Sequence, residues 1–239
     1  MKLKENKSCS NETPRRIELK DLRKLKDLES IESALLKSPL AFYSSYPDRR
    51  INSLYFDSYN YIALNESLAG QSLRKKTRFR WYGEIENSNA PMLEYKFKQG
   101  HISWKIIENL NVNIDLKATN WECAFLKKLN HKSINSRNFF VLSKLRPASI
   151  VSYKRSYFES ADSRVRVTID KDITFRDQSI YPMPNLLFDT KNTGSLVLEI
   201  KIAEDATALL EELFSTLNFI PQRYSKYCES LQSHLPKLK

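Results

Sequence analysis

Cationic side chains occupy every second position in the stretch "LRKKTRFRWYG", residues 73–83. Because side chains two residues apart point to the same side of a β-strand, these cations would share one face, with the aromatic residues between them on the other. Guanidinium groups grip phosphate oxygens in pairs, and lysines add positive charge. We therefore expect this strand to contribute to a polyanion site through Arg74, Lys76, Arg78 and Arg80.

The same alternation recurs in "MLEYKFK" (92–98), "SRVRVTID" (163–170) and "LVLEIKI" (196–202), and "VSYKRSY" (151–157) places Tyr153 and Arg155 on one face. A half-exposed antiparallel sheet would also carry a polar face. These rows, however, consist mainly of Arg and Lys with few Glu. This bias weighs against an ordinary half-exposed sheet, and the other arrangement is a closed barrel with the charged rows turned inward.

Repulsion between neighbouring cations distinguishes the two arrangements. Cations on alternate residues lie about 7 Å apart, which costs about 0.6 kcal/mol per pair in water and about 2 kcal/mol at an effective dielectric of about 20. An inward row would therefore require a concentrated anion among the cations. Such a chamber would be a phosphate receptacle, with the few Glu residues available for a divalent cation.

The composition of the chain limits its expected binding partners and its expected cellular compartment. The chain has 239 residues, with 39 Lys and Arg against 28 Asp and Glu, a formal charge of +11, so the expected partners are polyanions. The three cysteines are far apart and form no CxxC pair, which fits a reducing compartment. Since there is no signal-peptide pattern and no long apolar run, we expect a cytoplasmic protein without a transmembrane segment. Peripheral membrane association through a separate membrane protein stays open.

The helices and strands that would position the charged rows are predicted from the spacing of the apolar residues. Residues 1–14 are polar and predict a disordered lead-in, while 15–239 predict a single domain without linker or repeat. Amphipathic helices are predicted for 21–39, 60–70, 115–132 and 204–218 and from residue 223 onward. Strands are predicted for 50–58, 72–83, 91–100, 102–109, 148–160, 163–175 and 195–202. This arrangement indicates an α+β domain with a large, mostly antiparallel sheet.

Eight ordered segments resemble the VTC domain, the polyphosphate polymerase branch of the triphosphate tunnel metalloenzymes, also called CYTH-like. The resemblance covers about residues 15 to 230. It implies an eight-stranded antiparallel barrel with helices packed outside, which binds ATP and polyphosphate or triphosphate together with Mn²⁺ or, alternatively, Mg²⁺. The segments are "SLYFDS" (53–58), "RFRWYG" (78–83), "LEYK" (93–96), "SWK" (103–105), "SYKR" (152–155), "RVRVTID" (164–170), "VLEIK" (197–201) and "RYSKY" (223–227).

The resemblance also implies a reaction, the transfer of the γ-phosphoryl group of ATP to a growing polyphosphate chain, and roles for individual residues. Glu199 would bind the metal. The catalytic set that grips the phosphates would be Arg78, Arg80, Lys96, Arg155, Arg166 and Lys201. The residues that bind the substrate or the chain would be Lys20, Lys105, Tyr153, Arg223, Ser225 and Lys226.

One departure separates this chain from the hydrolytic members of the wider superfamily. Those members begin with a Glu-x-Glu-x-Lys signature, whereas "RIELK" here supplies Arg16, Glu18 and Lys20. The missing first carboxylate argues against a two-metal triphosphatase and agrees with the polymerase branch. Glu18 is kept as an auxiliary metal ligand.

Three alternatives remain. A hydrolase of triphosphate or of nucleoside triphosphates, and a silent module that only binds polyphosphate, would have the same lining. A single-strand nucleic-acid binder would need aromatic residues on the basic face, but Phe79, Trp81 and Tyr95 fall on the opposite face, so we expect no nucleic-acid partner. Tyr55 is interpreted as a core residue and Asp57 as a helix cap. The histidines at 101, 131 and 234 have no catalytic partners in the sequence pattern.

Overall fold

A computed structural model of the chain describes residues 11–88, 91–109, 113–126, 136–192 and 194–234. The strands of these ranges are β1 (Asn11–Glu12), β2 (Arg16–Lys24), β3 (Tyr43–Asp57), β4 (Leu73–Tyr82), β5 (Met92–Gln99), β6 (Ile102–Asn109), β7 (Arg146–Glu159), β8 (Val165–Asp177), β9 (Thr190–Asn192) and β10 (Ser195–Ala203). The helices are α1 (Leu28–Lys37), α2 (Ile62–Leu68), α3 (Ser136–Ser143), α4 (Leu210–Leu217) and α5 (Lys226–His234). Short 3₁₀ turns cover Leu25–Asp27 and Glu204–Leu209.

Eight of these strands close into an antiparallel barrel. They are hydrogen-bonded in the order β6, β2, β10, β8, β7, β3, β4, β5, and β5 pairs back with β6. The seam between β2 and β6 is short, joining Arg16 to Ser103 and Ile17 to Ile102. Closure places alternate residues of each strand inside the barrel and the remaining ones outside. The predicted α+β fold with an eight-stranded barrel is confirmed.

The apolar faces of the strands point away from the barrel axis and form two outer cores. In one, Val167 and Ile200 of the sheet pack with Leu35 of α1, all fully buried. In the other, Phe79 and Trp81 lie buried beneath the segment that follows β6. Each such side chain contributes about 1.5–3 kcal/mol by its burial. These outer cores hold the barrel closed and leave its ionic faces on the inside.

Helix α5 fills one end of the barrel. Tyr227 of α5 packs in a cluster with Val151 and Val197, which lie on the inner faces of β7 and β10. The Tyr227 hydroxyl donates to the buried carboxylate of Asp57. Asp57 also accepts hydrogen bonds from two backbone N–H groups of α2, those of Ala63 at 3.0 Å and Leu64 at 3.1 Å. Its predicted role as a cap of the following helix is confirmed.

The first predicted helix was placed too early in the chain. Residues 21–24 belong to β2, which pairs with β10 over its whole length, and helix α1 begins only at Leu28. The leucines at 22 and 25 fit a helical period but are 36% and 38% exposed, so strand pairing outweighs that local pattern. Of residues 115–132, the described part holds only a short π-helical segment, Glu122–Leu126.

Residues 11–14 of the predicted lead-in differ from the prediction of disorder. Residues 11 and 12 pair with β6, and the N–H of Thr13 donates to the carbonyl of Lys105 at 2.8 Å. This segment is ordered because it pairs with an edge of β6, and residues 1–10 lie outside the described residues. Within the described ranges, every helix is too short or too polar to cross a bilayer.

Candidate functional site

The ionic faces of the eight barrel strands surround an internal cavity of about 450 Å³. This volume lies within the range of small-molecule sites. Cations separated by one residue on β4 and β5 line it, as the alternation predicts. Its cations are Arg16, Lys20, Arg74, Lys76, Arg78, Arg80, Lys96, Lys98, Lys105, Arg155, Arg166, Lys201 and Lys226.

All but one of the predicted site residues line this cavity, including Glu199, Tyr153 and Ser225. The exception is Arg223, which is exposed and whose guanidinium lies beside the end of α2. There it packs so closely on Gly70 that a Cβ at that position would lie 3.0 Å from Nη1 of Arg223. His101 and His234 do not line the cavity, and residue 131 lies outside the described part of the chain.

A fully buried carboxylate, Glu94, organises the cations of β4 and β6. It accepts hydrogen bonds from Nε of Arg78 at 2.7 Å, from Nη2 of the same residue at 2.5 Å and from Nζ of Lys105 at 2.7 Å. Nη1 of Arg80 lies 3.7 Å away. Burial alone would raise the pKa of Glu94, but the surrounding cations hold it well below its usual value. The ionised carboxylate therefore fixes the direction of these donors.

Asp170, also fully buried, plays the same part on the other side of the cavity. It accepts from Nε of Arg155 at 2.5 Å and from Nη2 at 2.7 Å, and the ammonium of Lys226 donates to it as well. Burial would raise the pKa of Asp170, yet Arg155 and Lys226 lower it. The start of α5 is thereby joined to the wall of the cavity.

Glu18 and Glu199 form a third group with the lysines of β2, β5 and β10. Both oxygens of Glu18 accept from Nζ of Lys96 at 2.7 Å. Nζ of Lys20 lies between the two carboxylates, 3.2 Å from Glu18 and 3.7 Å from Glu199. Lys201 approaches Glu199 to 2.5 Å. Burial and mutual repulsion would raise the pKa of both glutamates, but the lysines lower it below the usual range, so both are ionised.

These carboxylates correct one expectation. The sequence pattern predicted that inward cations would be tolerable only around a bound anion. Instead, each buried carboxylate is shared by at least two cations, which offsets their repulsion within the protein itself. The inward cations are thus held in place by the protein itself. The carboxylates that do this are Glu18, Glu94, Asp170 and Glu199.

Two lysines of the cavity have lowered pKa values because they are buried. Burial lowers the pKa of Lys96 to about 7, against the raising effect of Glu18. Burial likewise lowers the pKa of Lys105 to about 8, although Glu94 acts in the opposite direction. The positive charge of the cavity therefore depends on pH near neutrality.

Three cations at one end of the cavity lack this compensation, and we call Arg74, Lys76 and Lys98 the cationic end. Among the described residues, no carboxylate comes within ion-pair distance of them. Arg74 stands opposite Lys98 and Lys76 opposite Lys96 in the pairing of β4 with β5. Lys76 donates to the Ser225 hydroxyl at 2.7 Å. Like charges directly opposite one another are destabilising, so this end has the most to gain from an anion.

Comparison with known families agrees with this geometry. Residues 15–235 match the sequence model of the VTC domain. The chain belongs to the VTC domain family. Vacuolar transporter chaperone complex subunit 2 of Saccharomyces cerevisiae is 26% identical to it over 153 residues, a match that covers 54% of this chain and 18% of that protein. The aligned segment therefore spans less than a fifth of the length of that relative.

Solved structures share the fold of this VTC domain. A putative adenylate cyclase from Vibrio parahaemolyticus superposes with a TM-score of 0.51 at 11% identity, covering 92% of this chain and 98% of that one. A putative adenylyl cyclase from Hippeastrum, with a dominant triphosphatase activity of its own, gives 0.53 at 14% identity, covering 94% and 99%. At such identities the likeness establishes the common fold.

Glu199 and Glu18 are the carboxylates of this VTC domain best suited to a divalent cation. They are ionised, lie on adjacent strands and flank Lys20. Carboxylate oxygens suit Mg²⁺ and Mn²⁺, which often take only one or two protein ligands and complete their coordination with substrate phosphates. Across the described ranges no cluster of three or more His, Cys, Asp or Glu residues could hold a metal. The residues fit a cation that is shared with a bound phosphate chain.

The predicted site left out three contributors. The alternation placed Glu94 on the ionic face with Lys96, and Asp170 lies on the face of Arg166, but neither was assigned to the site. Tyr55 is buried in a core cluster as predicted, and its hydroxyl also accepts from Nη1 of Arg78 at 2.9 Å at the cavity lining. Its neighbours in the sequence gave no sign of this contact.

Proposed function

We propose that this chain is a polyphosphate polymerase, which transfers the γ-phosphoryl group of ATP to a growing polyphosphate chain inside the barrel. The observation that carries the proposal is the set of inward arginines, Arg78, Arg80 and Arg155, held by buried carboxylates beside the ionised Glu199. Membership of the VTC family and the substitution of Arg16 for a carboxylate of the hydrolases support the polymerase over other activities.

Phosphoryl transfer requires phosphates held in line and neutralisation of the charge that spreads over their oxygens. The arginines would do both. Asp170 engages Nε and Nη2 of Arg155, which leaves Nη1 to donate to a phosphate oxygen. Arg80 keeps most of its donors, since it gives one hydrogen bond to the Tyr153 hydroxyl at 3.2 Å. Donors that are already oriented stabilise developing charge without reorganisation during the reaction.

The acceptor would be a terminal phosphate oxygen of the polyphosphate chain, which is ionised near neutral pH, so the reaction needs no general base. The cationic end would hold this chain, because its charges have no carboxylate within ion-pair distance among the described residues. A divalent cation, Mn²⁺ or Mg²⁺, would be held by Glu199 with Glu18 beside it and would act as a Lewis acid on phosphate oxygens.

A triphosphate hydrolase is the second candidate. It is favoured by the triphosphatase activity of the Hippeastrum protein, which has the same fold. In that reaction water would replace the polyphosphate oxygen as nucleophile. A module that only binds polyphosphate would use the same cations without turnover.

We further propose a cytoplasmic location at a membrane surface, in association with a separate membrane protein. The support is the yeast relative, which is a subunit of a transporter chaperone complex. The net charge of +11 would also favour an anionic surface.

Phosphorus NMR of the purified chain with ATP and Mn²⁺ tests the proposal. A polymerase produces the signals of chain-interior phosphates, whereas orthophosphate alone would indicate a hydrolase and unchanged ATP a binding module. The variant Arg155→Gln should lose the reaction. Its matched control is Arg164→Gln, since Arg164 is an arginine on the surface that pairs with the exposed Asp162.

A further inference from the structure

One mouth of the cavity is lined by tyrosines that the phosphate chemistry does not use. Tyr82 follows Arg80 by two residues on β4, and Tyr157 follows Arg155 by two residues on β7. Residues two apart share a strand face, so both tyrosines point into the barrel, one step beyond the arginines. Both line the cavity, as does Tyr46 of β3.

An arginine lies among these rings. The guanidinium carbon of Arg49 is 4.8 Å from the ring centroid of Tyr46, 5.8 Å from that of Tyr82 and 5.9 Å from that of Tyr157. Arg49 pairs in register with Arg155, and no carboxylate of the described chain forms an ion pair with it. We call these four residues the tyrosine mouth.

The tyrosine mouth offers accessible flat surfaces. Tyr46 is 48% exposed and Tyr82 is 43% exposed. A planar ring system can stack on a tyrosine ring or on a guanidinium plane, and nucleobases of every type do so. An inorganic phosphate chain, which has no flat apolar surface, gains nothing from such a lining.

The order of the cationic end, the arginines and the tyrosine mouth along the barrel determines how a ligand would be oriented. On β4 the cationic end begins at Arg74 and the tyrosine mouth lies at Tyr82, with the phosphate-gripping Arg78 and Arg80 between them. One two-residue step along a strand is about 7 Å, which a ribose can span. A triphosphate held at Arg80 and Arg155 would therefore bring an attached base to the tyrosines.

We propose that Tyr46, Tyr82 and Arg49 form a stacking site for the nucleobase of a nucleoside triphosphate. The inference rests on the proposed function in one respect, namely that the triphosphate occupies the cavity. The nucleotide enters with its phosphates first, and its base stays at the tyrosine mouth while the chain lies toward the cationic end. Stacking is tolerant of base identity, so adenine and guanine nucleotides bind with similar affinity.

Calorimetric titration with two probes tests this site without requiring turnover. The probes are the non-hydrolysable β,γ-imido analogue of ATP and inorganic tripolyphosphate. In the double variant Tyr46→Ala/Tyr82→Ala, the dissociation constant of the ATP analogue should rise about 10-fold, the loss expected for one stacked base, while that of tripolyphosphate changes less than about 2-fold. Both side chains are half-exposed, so their truncation leaves the cores intact.

Two further variants sharpen the result. Tyr82→Phe keeps the ring and should lose less affinity for the ATP analogue than Tyr82→Ala does. Tyr43→Ala removes a tyrosine of the same strand as Tyr46 that is 47% exposed but lies outside the cavity lining, and should change neither affinity. Equal weakening of both probes in the double variant, or no weakening of the ATP analogue, would overturn the stacking site alone. Failure of tripolyphosphate to bind the unaltered chain would overturn the phosphate cavity and the stacking site with it.

Discussion

The carboxylate of Glu94 accepts two hydrogen bonds from one guanidinium, that of Arg78, through Nε at 2.7 Å and Nη2 at 2.5 Å. Such a two-point contact fixes the plane of the guanidinium, and Glu94 is fully buried. A carboxylate in this position adds negative charge to a site that should bind anions. It therefore opposes binding electrostatically and supports it by orienting the donors.

Replacing Glu94 by Gln should separate these two effects. The isosteric amide removes the negative charge, so tripolyphosphate should bind at least as tightly as before. Because Arg78 loses its fixed direction, turnover should fall about 10- to 100-fold. Steady-state kinetics and calorimetry on the same preparation measure both. Asp162→Asn is the control, since that carboxylate is exposed and pairs only on the surface. A loss of binding as large as the loss of turnover would contradict the orienting role.

Glu199→Gln tests the metal assignment. The amide is a poorer ligand for Mn²⁺, so metal-dependent turnover should fall by at least about 100-fold while tripolyphosphate binding without metal is kept. The readout is the turnover rate as a function of Mn²⁺ concentration. Glu204→Gln is the matched control, because Glu204 is an exposed carboxylate that directly follows the same strand and lies outside the cavity lining. Normal metal dependence in the Glu199 variant would contradict the assignment.

Lys105 should make phosphate binding depend on pH. Burial lowers its pKa to about 8, so the lysine loses its charge as pH rises through that value. A bound polyanion favours the charged form and raises the pKa, which means that binding at pH 8 takes up about half a proton and weakens as pH increases from 7 to 9. Calorimetry in buffers of different ionisation enthalpy measures the uptake.

Lys105→Arg provides the comparison for this uptake. Arginine keeps its charge at every accessible pH, so the proton uptake contributed by position 105 should disappear while affinity at pH 7 is retained. The exposed Lys144→Arg variant should behave like the unaltered chain. Equal uptake in the Lys105 variant and the unaltered chain would show that the titrating group lies elsewhere.

The contact between Tyr227 and Asp57 should contribute to stability rather than to chemistry. Tyr227→Phe leaves the buried carboxylate without one of its donors, which should lower the free energy of unfolding by about 1–3 kcal/mol. Denaturant unfolding measures the change. Tyr59→Phe, at a residue that is 79% exposed, should change it by less than about 0.5 kcal/mol. If Tyr227→Phe lowers the free energy of unfolding no more than Tyr59→Phe does, the hydrogen bond from Tyr227 to Asp57 does not stabilise the position of α5.

The shared faces of the charged rows were predictable because a strand alternates its faces with a fixed period of two. Asp57 was likewise predictable as a cap because it directly precedes a helical pattern. Both features depend on local sequence alone. The inward orientation of Arg78, Arg80, Arg155 and Glu199, which all line the cavity, was instead expected from the resemblance to the VTC domain.

Other features depend on contacts that sequence spacing does not encode. The start of α1 was misplaced because residues 21–24 pair with β10, a strand far away in the chain. Arg223 matched a family segment, but its side chain turns to Gly70 outside the cavity. The tyrosine mouth required three strands to be brought together, so neither Tyr46 nor Arg49 stood out beforehand.

A crystal structure with Mn²⁺ and tripolyphosphate tests the central claim most directly, since anomalous scattering locates the metal independently of the phosphates. We predict a chain of phosphates inside the barrel, in contact with Arg78, Arg80 and Arg155, and a manganese peak at Glu199. Phosphates bound only on the outer surface, or a manganese peak away from Glu199 with an empty cavity, would contradict this account.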